Sequence, residues 1–166
     1  MTILPINTPQ DLPLRAGPTP RVHPGPPQHQ IDQHPEHAQW KAMRTLIENW
    51  DSADKGATLR GVPGTLGLFL PRTRTGAGEH AFLIGREFAH HHPDDGGLHM
   101  TLPRAWCDAV LAQGWGEPHT WAGRPTVSAQ TVLIYAPRDV HEIEVTRRLL
   151  EVSEAFAGAT STTLTT

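Results

Sequence analysis

Five consecutive turn-forming residues, Pro93, Asp94, Asp95, Gly96 and Gly97, limit this chain more than any other feature. Proline presets a turn dihedral, aspartate bonds its own backbone and glycine accepts positive φ, so the chain reverses here. The flanking stretches, 81–92 and 98–102, are rich in strand-compatible residues, which predicts an antiparallel hairpin. Side chains alternate along a strand, so His90 and His92 share a face and His91 takes the other. The returning strand can bring His99 alongside them. Four histidines within residues 90–99 make this hairpin the candidate functional centre.

The rest of the chain divides around it. Nine of the 16 prolines fall in residues 1–35, where no periodic apolar pattern is found. Proline there rules out helix or central strand, so residues 1–35 read as an irregular or disordered Pro/His-rich arm. Its His23, His29 and His34 read as solvated polar residues, with a metal-binding tract as the alternative. The arm could lie over the folded part or contact a second chain, giving a homo-oligomer. Residues 36–158 are enough for one α+β domain with a sizeable core, and the threonine-rich 159–166 should fray.

The net charge of −3 comes without a basic stripe, so nucleic acid is not an expected partner. No apolar run approaches the ~20 residues of a membrane span, and no signal-peptide pattern opens the sequence. The expectation is a cytoplasmic protein that does not enter a membrane. The single cysteine, Cys107, excludes an internal disulfide, fits a reducing compartment and reads as a small buried apolar residue.

Pro35 opens a predicted helix running to about residue 50, with Trp40, Met43, Ile47 and Trp50 on one face. Residues 51–56 read as a break, and 58–71 as two short strands around a Pro63–Gly64 turn. A strand over 80–90, bent at Gly85, leads into the hairpin. Pro103 starts a helix that Gly114 ends, with Trp106, Ala109 and Val110 as its inner stripe. The segment 114–119 reads as a tight run in which glycines flank Trp115. Residues 126–135 form a last strand, and Asp139 with Glu142 makes a capping box for a final helix closed by Gly158. Strands run together before the last helices. The expected class is α+β, a single domain with a mainly antiparallel sheet and helices packed on one face.

Glu87, His90, His92, His99 and His119 are the candidate catalytic residues. Neutral imidazoles are metal ligands, and a strand pair such as His90 and His92 with a third histidine, His99, suits zinc, iron or copper. Without a metal, a histidine near neutrality can take a proton from an acidic enol or phenol while a second holds the oxyanion. Glu87 stands three residues from His90 and joins the cluster only if the strand bends or bulges. His91, His80 and His141 read as structural or surface residues. Trp115 and Trp121 are candidates to stack on a substrate.

At these positions the chain resembles the luciferase domain family. The likeness is carried by Arg86, Glu87, Phe88, Ala89, His90 and His92, then by Leu98, His99 and Leu102. It continues in Gly114, Trp115, Gly116 and His119 with Ala122 and Gly123, and in Leu133, Ile134 and Tyr135 with Arg138. Gly61 to Gly64 resembles bacterial members, and the likeness spans about residues 58–157. The resemblance implies an oxygenase, an oxidoreductase that needs no organic cofactor. Fungal members add molecular oxygen to a hydroxylated pyrone, and the peroxide product loses carbon dioxide with emission of light. It implies an active site at Glu87, His90, His92, His99 and His119, and a small-molecule substrate used with O2. The Pro/His-rich arm and the loop between Trp121 and Val132 depart from the fungal pattern, and emission of light is not expected. Two other readings stand beside the oxygenase: a non-catalytic small-molecule or metal-binding protein, and a metal-dependent hydrolase or isomerase.

Overall fold

Residues 5–158 are described by the computed structural model. The expected frayed tail at 159–166 lies outside them. Six strands form one sheet: β1 (Asp54–Ala57), β2 (Leu66–Phe69), β3 (Glu87–His91), β4 (Leu98–Thr101), β5 (Gly116–Pro118) and β6 (Thr131–Ile134). Every neighbouring pair is antiparallel, in the spatial order β1-β2-β3-β4-β6-β5. The helices are α1 (His37–Glu48), α2 (Arg104–Ala112) and α3 (Val140–Ala157), and they cover one face of the sheet. The fold is α+β.

Each helix forms from an apolar stripe that the sheet buries. On α1 it is Met43 and Ile47, on α2 Trp106, Cys107 and Val110, and on α3 Val145, Leu149, Val152 and Phe156. These pack against Phe88, Leu98 and Met100 of the central strands, all fully buried. Asp139 caps α3 by accepting a hydrogen bond from the Glu142 amide at 2.8 Å. The reciprocal half of a capping box is absent, because the Glu142 carboxylate turns to Arg138 and Arg15 instead.

Two strands lie where none was expected, and two are shorter, among them the last, expected over 126–135 and found only at Thr131–Ile134. β1 occupies part of the predicted break at 51–56. It is an edge strand that is mostly exposed, so no alternation of apolar residues marks it. Of the two strands expected in 58–71 only β2 forms, paired with β1. β5 holds Pro118, which an edge position tolerates because no amide is needed there. The predicted strand over 80–90 begins only at Glu87, after a 3-10 turn at Glu79–Ala81.

Residues 5–36 have little repeating structure but are attached at many points. Ile6 and Leu12 join the core on the helix side. Arg15 is buried and pairs with Glu142 at 3.3 Å. Val22 and Gln30 form an isolated antiparallel bridge. By Gln28 the segment has reached the face of the sheet that carries no helix, where that side chain bonds Glu117 and Pro118 of β5.

Candidate functional site

The hairpin forms as its turn chemistry dictates. Gly96 takes φ of 75°, and the Asp95 carboxylate accepts from the Gly97 amide at 3.0 Å. His90 pairs directly with His99 across β3 and β4, and the His92 amide donates to the Gly97 carbonyl at 2.9 Å. His90, His92 and His99 therefore project from the helix-free face. His91 projects from the other, where its ring lies 5.7 Å from that of Trp40.

Glu87 should face away from His90 in a regular strand. The pairing of β2 with β3 shifts register, so Leu68 faces Ala89 and the next residue, Phe69, faces Glu87. Phe88 is left without a partner, as in a β-bulge. The shift turns Glu87 onto the histidine face. Its carboxylate accepts from His90 Nδ1–H at 2.7 Å, from the Thr58 hydroxyl at 2.6 Å and from the Leu59 amide at 2.9 Å. Gly67, opposite His90, leaves room for the Phe69 ring beside it: a Cβ there would stand 2.8 Å from that ring and 3.4 Å from the Glu87 carboxyl carbon.

The hydrogen bonds around the three rings fix where their protons sit. Asp95 accepts from His92 Nδ1–H at 3.0 Å and from the amides of Gly97 and Gln30. Burial would raise its pKa, but these donors outweigh that and hold it below the usual carboxylate value. The Gln28 amide donates to the Glu117 carboxylate at 3.0 Å and to the Pro118 carbonyl at 3.1 Å. Its oxygen therefore faces the Thr120 amide and His99, and His99 Nε2–H must be a donor, at 3.1 Å. Burial is the main cause that lowers the pKa of His90 and takes that of His99 well below the ordinary value. Neutral rings carry one N–H each. In three neutral rings all of these are spent outward, on Glu87, Asp95 and Gln28. His90 Nε2, His92 Nε2 and His99 Nδ1 are left as bare lone pairs, with the first two 3.0 and 3.1 Å from the third. One donor atom from each ring lies within 4.8 Å of the others.

His119 is set differently. Its ring lies 4.6 Å from that of His99, and its Nδ1 accepts the Trp121 amide at 3.0 Å. Burial is the main cause that lowers its pKa to about 4, so the ring is neutral and Nε2 carries the proton. His119 is a hydrogen-bond donor beside three acceptors.

These rings form the floor of a cavity of about 470 Å³ with mostly apolar walls. The walls come from Pro26 to His29 of the arm, Arg60 to Thr65, Leu83 and Ile84, and Thr120, Trp121 and Val127. Thr65 and Thr131 also line it, and their buried hydroxyl oxygens have no partner among the described residues. Trp121 lines the wall of the cavity. Trp115 does not: its indole N–H donates to the Pro13 carbonyl, and the ring is buried in the core near His141. Its flanking glycine serves strand pairing instead, since a Cβ on Gly116 would meet the Leu133 carbonyl oxygen at 2.1 Å. Sequence reasoning missed Asp95 and Gln28 as partners of the cluster.

Comparison with known proteins bears on this face of the molecule. Residues 85–153 match the family model for the luciferase domain. Over that stretch the chain is similar to the luciferase domain family. The luciferase of Armillaria ostoyae is 38% identical over 74 residues, which is 43% of this chain and 28% of that protein. The luciferases of Armillaria gallica and Neonothopanus nambi are each 37% identical over 74 residues, with the same coverage. The chain thus spans under a third of the length of these relatives. No solved structure matches. Glu87, His90, His92, Asp95, His99 and His119 lie inside the luciferase domain match, whereas Gln28, Thr58 and Arg60 lie outside it.

Proposed function

We propose that this chain is a small-molecule oxygenase of the luciferase-domain type, acting on an enolisable hydroxylated cyclic or aromatic substrate. The observation that carries this reading is the meeting of neutral imidazole lone pairs at the floor of a largely apolar cavity. A flat ring of pyrone size fits such a space, with Trp121 and Val127 beside it. An enol hydroxyl placed over His90, His92 and His99 meets their ring nitrogens as acceptors, which favours its ionisation. His119 Nε2–H and the guanidinium of Arg60 at the rim face the resulting negative charge. The orphaned hydroxyls of Thr65 and Thr131 suit further oxygens on the substrate.

The reaction balances without an organic cofactor. The electron pair of the enolate forms a carbon–oxygen bond to dioxygen, which is reduced to the peroxide level. The enol proton ends on the outer peroxide oxygen, giving a keto hydroperoxide. The luciferase match supports oxygen chemistry, and the site residues inside it support its location.

Oxygen uptake with a panel of hydroxylated pyrones and related polyketides tests the proposal. Uptake that requires an enolisable hydroxyl, and that falls in His119→Ala, is the expected result. No uptake across the panel, with and without added divalent metal, would overturn it. Tight ligand binding in the same trials would then point to a binding protein, and oxygen-independent turnover to a hydrolase or isomerase.

A further inference from the structure

We infer that His90, His92 and His99 form a facial binding site for a divalent first-row transition-metal ion, completed on its outer side by Glu87, Asp95 and Gln28. This deepens the reading of the same site, resting on it only for where the substrate would lie.

With the rings neutral their lone pairs repel, and no hydrogen bond among the described residues relieves that repulsion. A proton shared between His90 and His99 would satisfy one of the two contacts on His99 Nδ1. The contact from His92, at 3.1 Å, would still face the same single lone pair. An ion satisfies all three at once. Two nitrogens about 2.1 Å from one ion and about 90° apart stand about 3.0 Å from each other. The observed separations of 3.0 and 3.1 Å match that arrangement.

The outer partners complete the case. A ligating histidine usually donates its other N–H to a carboxylate or carbonyl, which fixes the tautomer and makes the ligating nitrogen more basic. Here each of the three rings has such an acceptor, from three different segments. All three inward donors are imidazole nitrogens, which favours zinc, iron, cobalt, nickel or copper over magnesium or calcium. His119 is excluded as a ligand because its Nδ1 is taken by the Trp121 amide. The side of the ion away from the hairpin opens on the cavity, where an enolate oxygen could coordinate.

Gln28 ties the site to the arm. It lies outside the luciferase match, so this chain supplies one outer partner from a segment that the domain model does not include.

Cobalt(II) is the probe. Full-length protein stripped with a chelator and titrated with cobalt should take up one ion per chain, develop visible d–d bands and melt at a higher temperature. Gln28→Ala should bind roughly 10–100-fold more weakly. His92→Ala should lose the bands, and His119→Ala should keep them. A wild-type protein with native circular dichroism that binds no cobalt or zinc would overturn the inference, as would retention of the full spectrum by a folded His92→Ala. Neither readout involves dioxygen or a pyrone, so failure of the oxygenase reading leaves it standing.

Discussion

Glu87 and His90 are joined by a 2.7 Å hydrogen bond although they stand three residues apart in one strand. Only the unpaired Phe88 makes this geometry available, because it moves Glu87 to the other side of the sheet. The bulge is thus part of the site, and Gly67 on the neighbouring strand leaves the space that the Phe69 ring beside the carboxylate needs.

Replacing Glu87 by glutamine tests what the carboxylate does. The amide keeps the size but offers N–H groups toward the Leu59 amide or toward His90 Nδ1. In the second case His90 takes its proton on Nε2, facing His99. Cobalt affinity should fall roughly 10–100-fold, with the circular dichroism spectrum kept. Unchanged affinity in Glu87→Gln would mean that the charge and tautomer are immaterial.

His91 should be dispensable, unlike its two neighbours. Both its ring nitrogens are buried without a partner among the described residues, and burial lowers its pKa to about 3. An unsatisfied buried polar group costs about 1–3 kcal/mol. His91→Leu, close in volume and apolar, should leave cobalt binding intact and raise stability by about 1 kcal/mol. Urea denaturation measures the change, and a loss of stability together with a loss of metal would place His91 in the site.

The hairpin and its histidine face were legible in the sequence because both depend on local rules: turn chemistry for residues 93–97 and the two-residue period of a strand. The bulge was not, since it comes from how β3 pairs with β2. Asp95 read only as a turn former, although its distance of three residues from His92 across the bend was the available signal. Gln28 gave no signal at all. It lies in a proline-rich stretch without period, and its contact with His99 spans 71 residues of sequence. Trp115 misled for a physical reason. Of its two glycines only Gly116 marks a close backbone approach, and the neighbour is β6, not a ligand; Gly114 takes the positive φ of 75° that follows α2.

The arm is held by a buried charge cluster, and breaking that cluster should release it. Glu142 is 3% exposed and pairs with both Arg15 and Arg138, and Arg138 also donates to the Ala16 carbonyl at 2.7 Å. Glu142→Gln leaves the buried Arg15 guanidinium without its counter-charge, which costs about 3–5 kcal/mol in comparable cases. The melting temperature should drop, and limited proteolysis should first cut within residues 15–35. Wild-type melting and an uncut arm would show that the cluster does not hold this segment.

Cys107 should be unreactive in the native protein. Its thiol is buried on α2 and donates to the Leu102 carbonyl at 3.4 Å. Burial is the main cause that pushes its pKa up to about 11. At pH 8 only about one thiol in a thousand is then the thiolate that reacts. Iodoacetamide at that pH should leave the folded chain unmodified over hours by mass spectrometry and should alkylate it fully in denaturant. Because the thiol lies on the helix side of the sheet, away from the histidine face, alkylation of the denatured chain should be the same with and without cobalt once the metal is chelated. Rapid labelling of the native protein would mean that α2 opens readily, and with it the packing that backs β5 and β6.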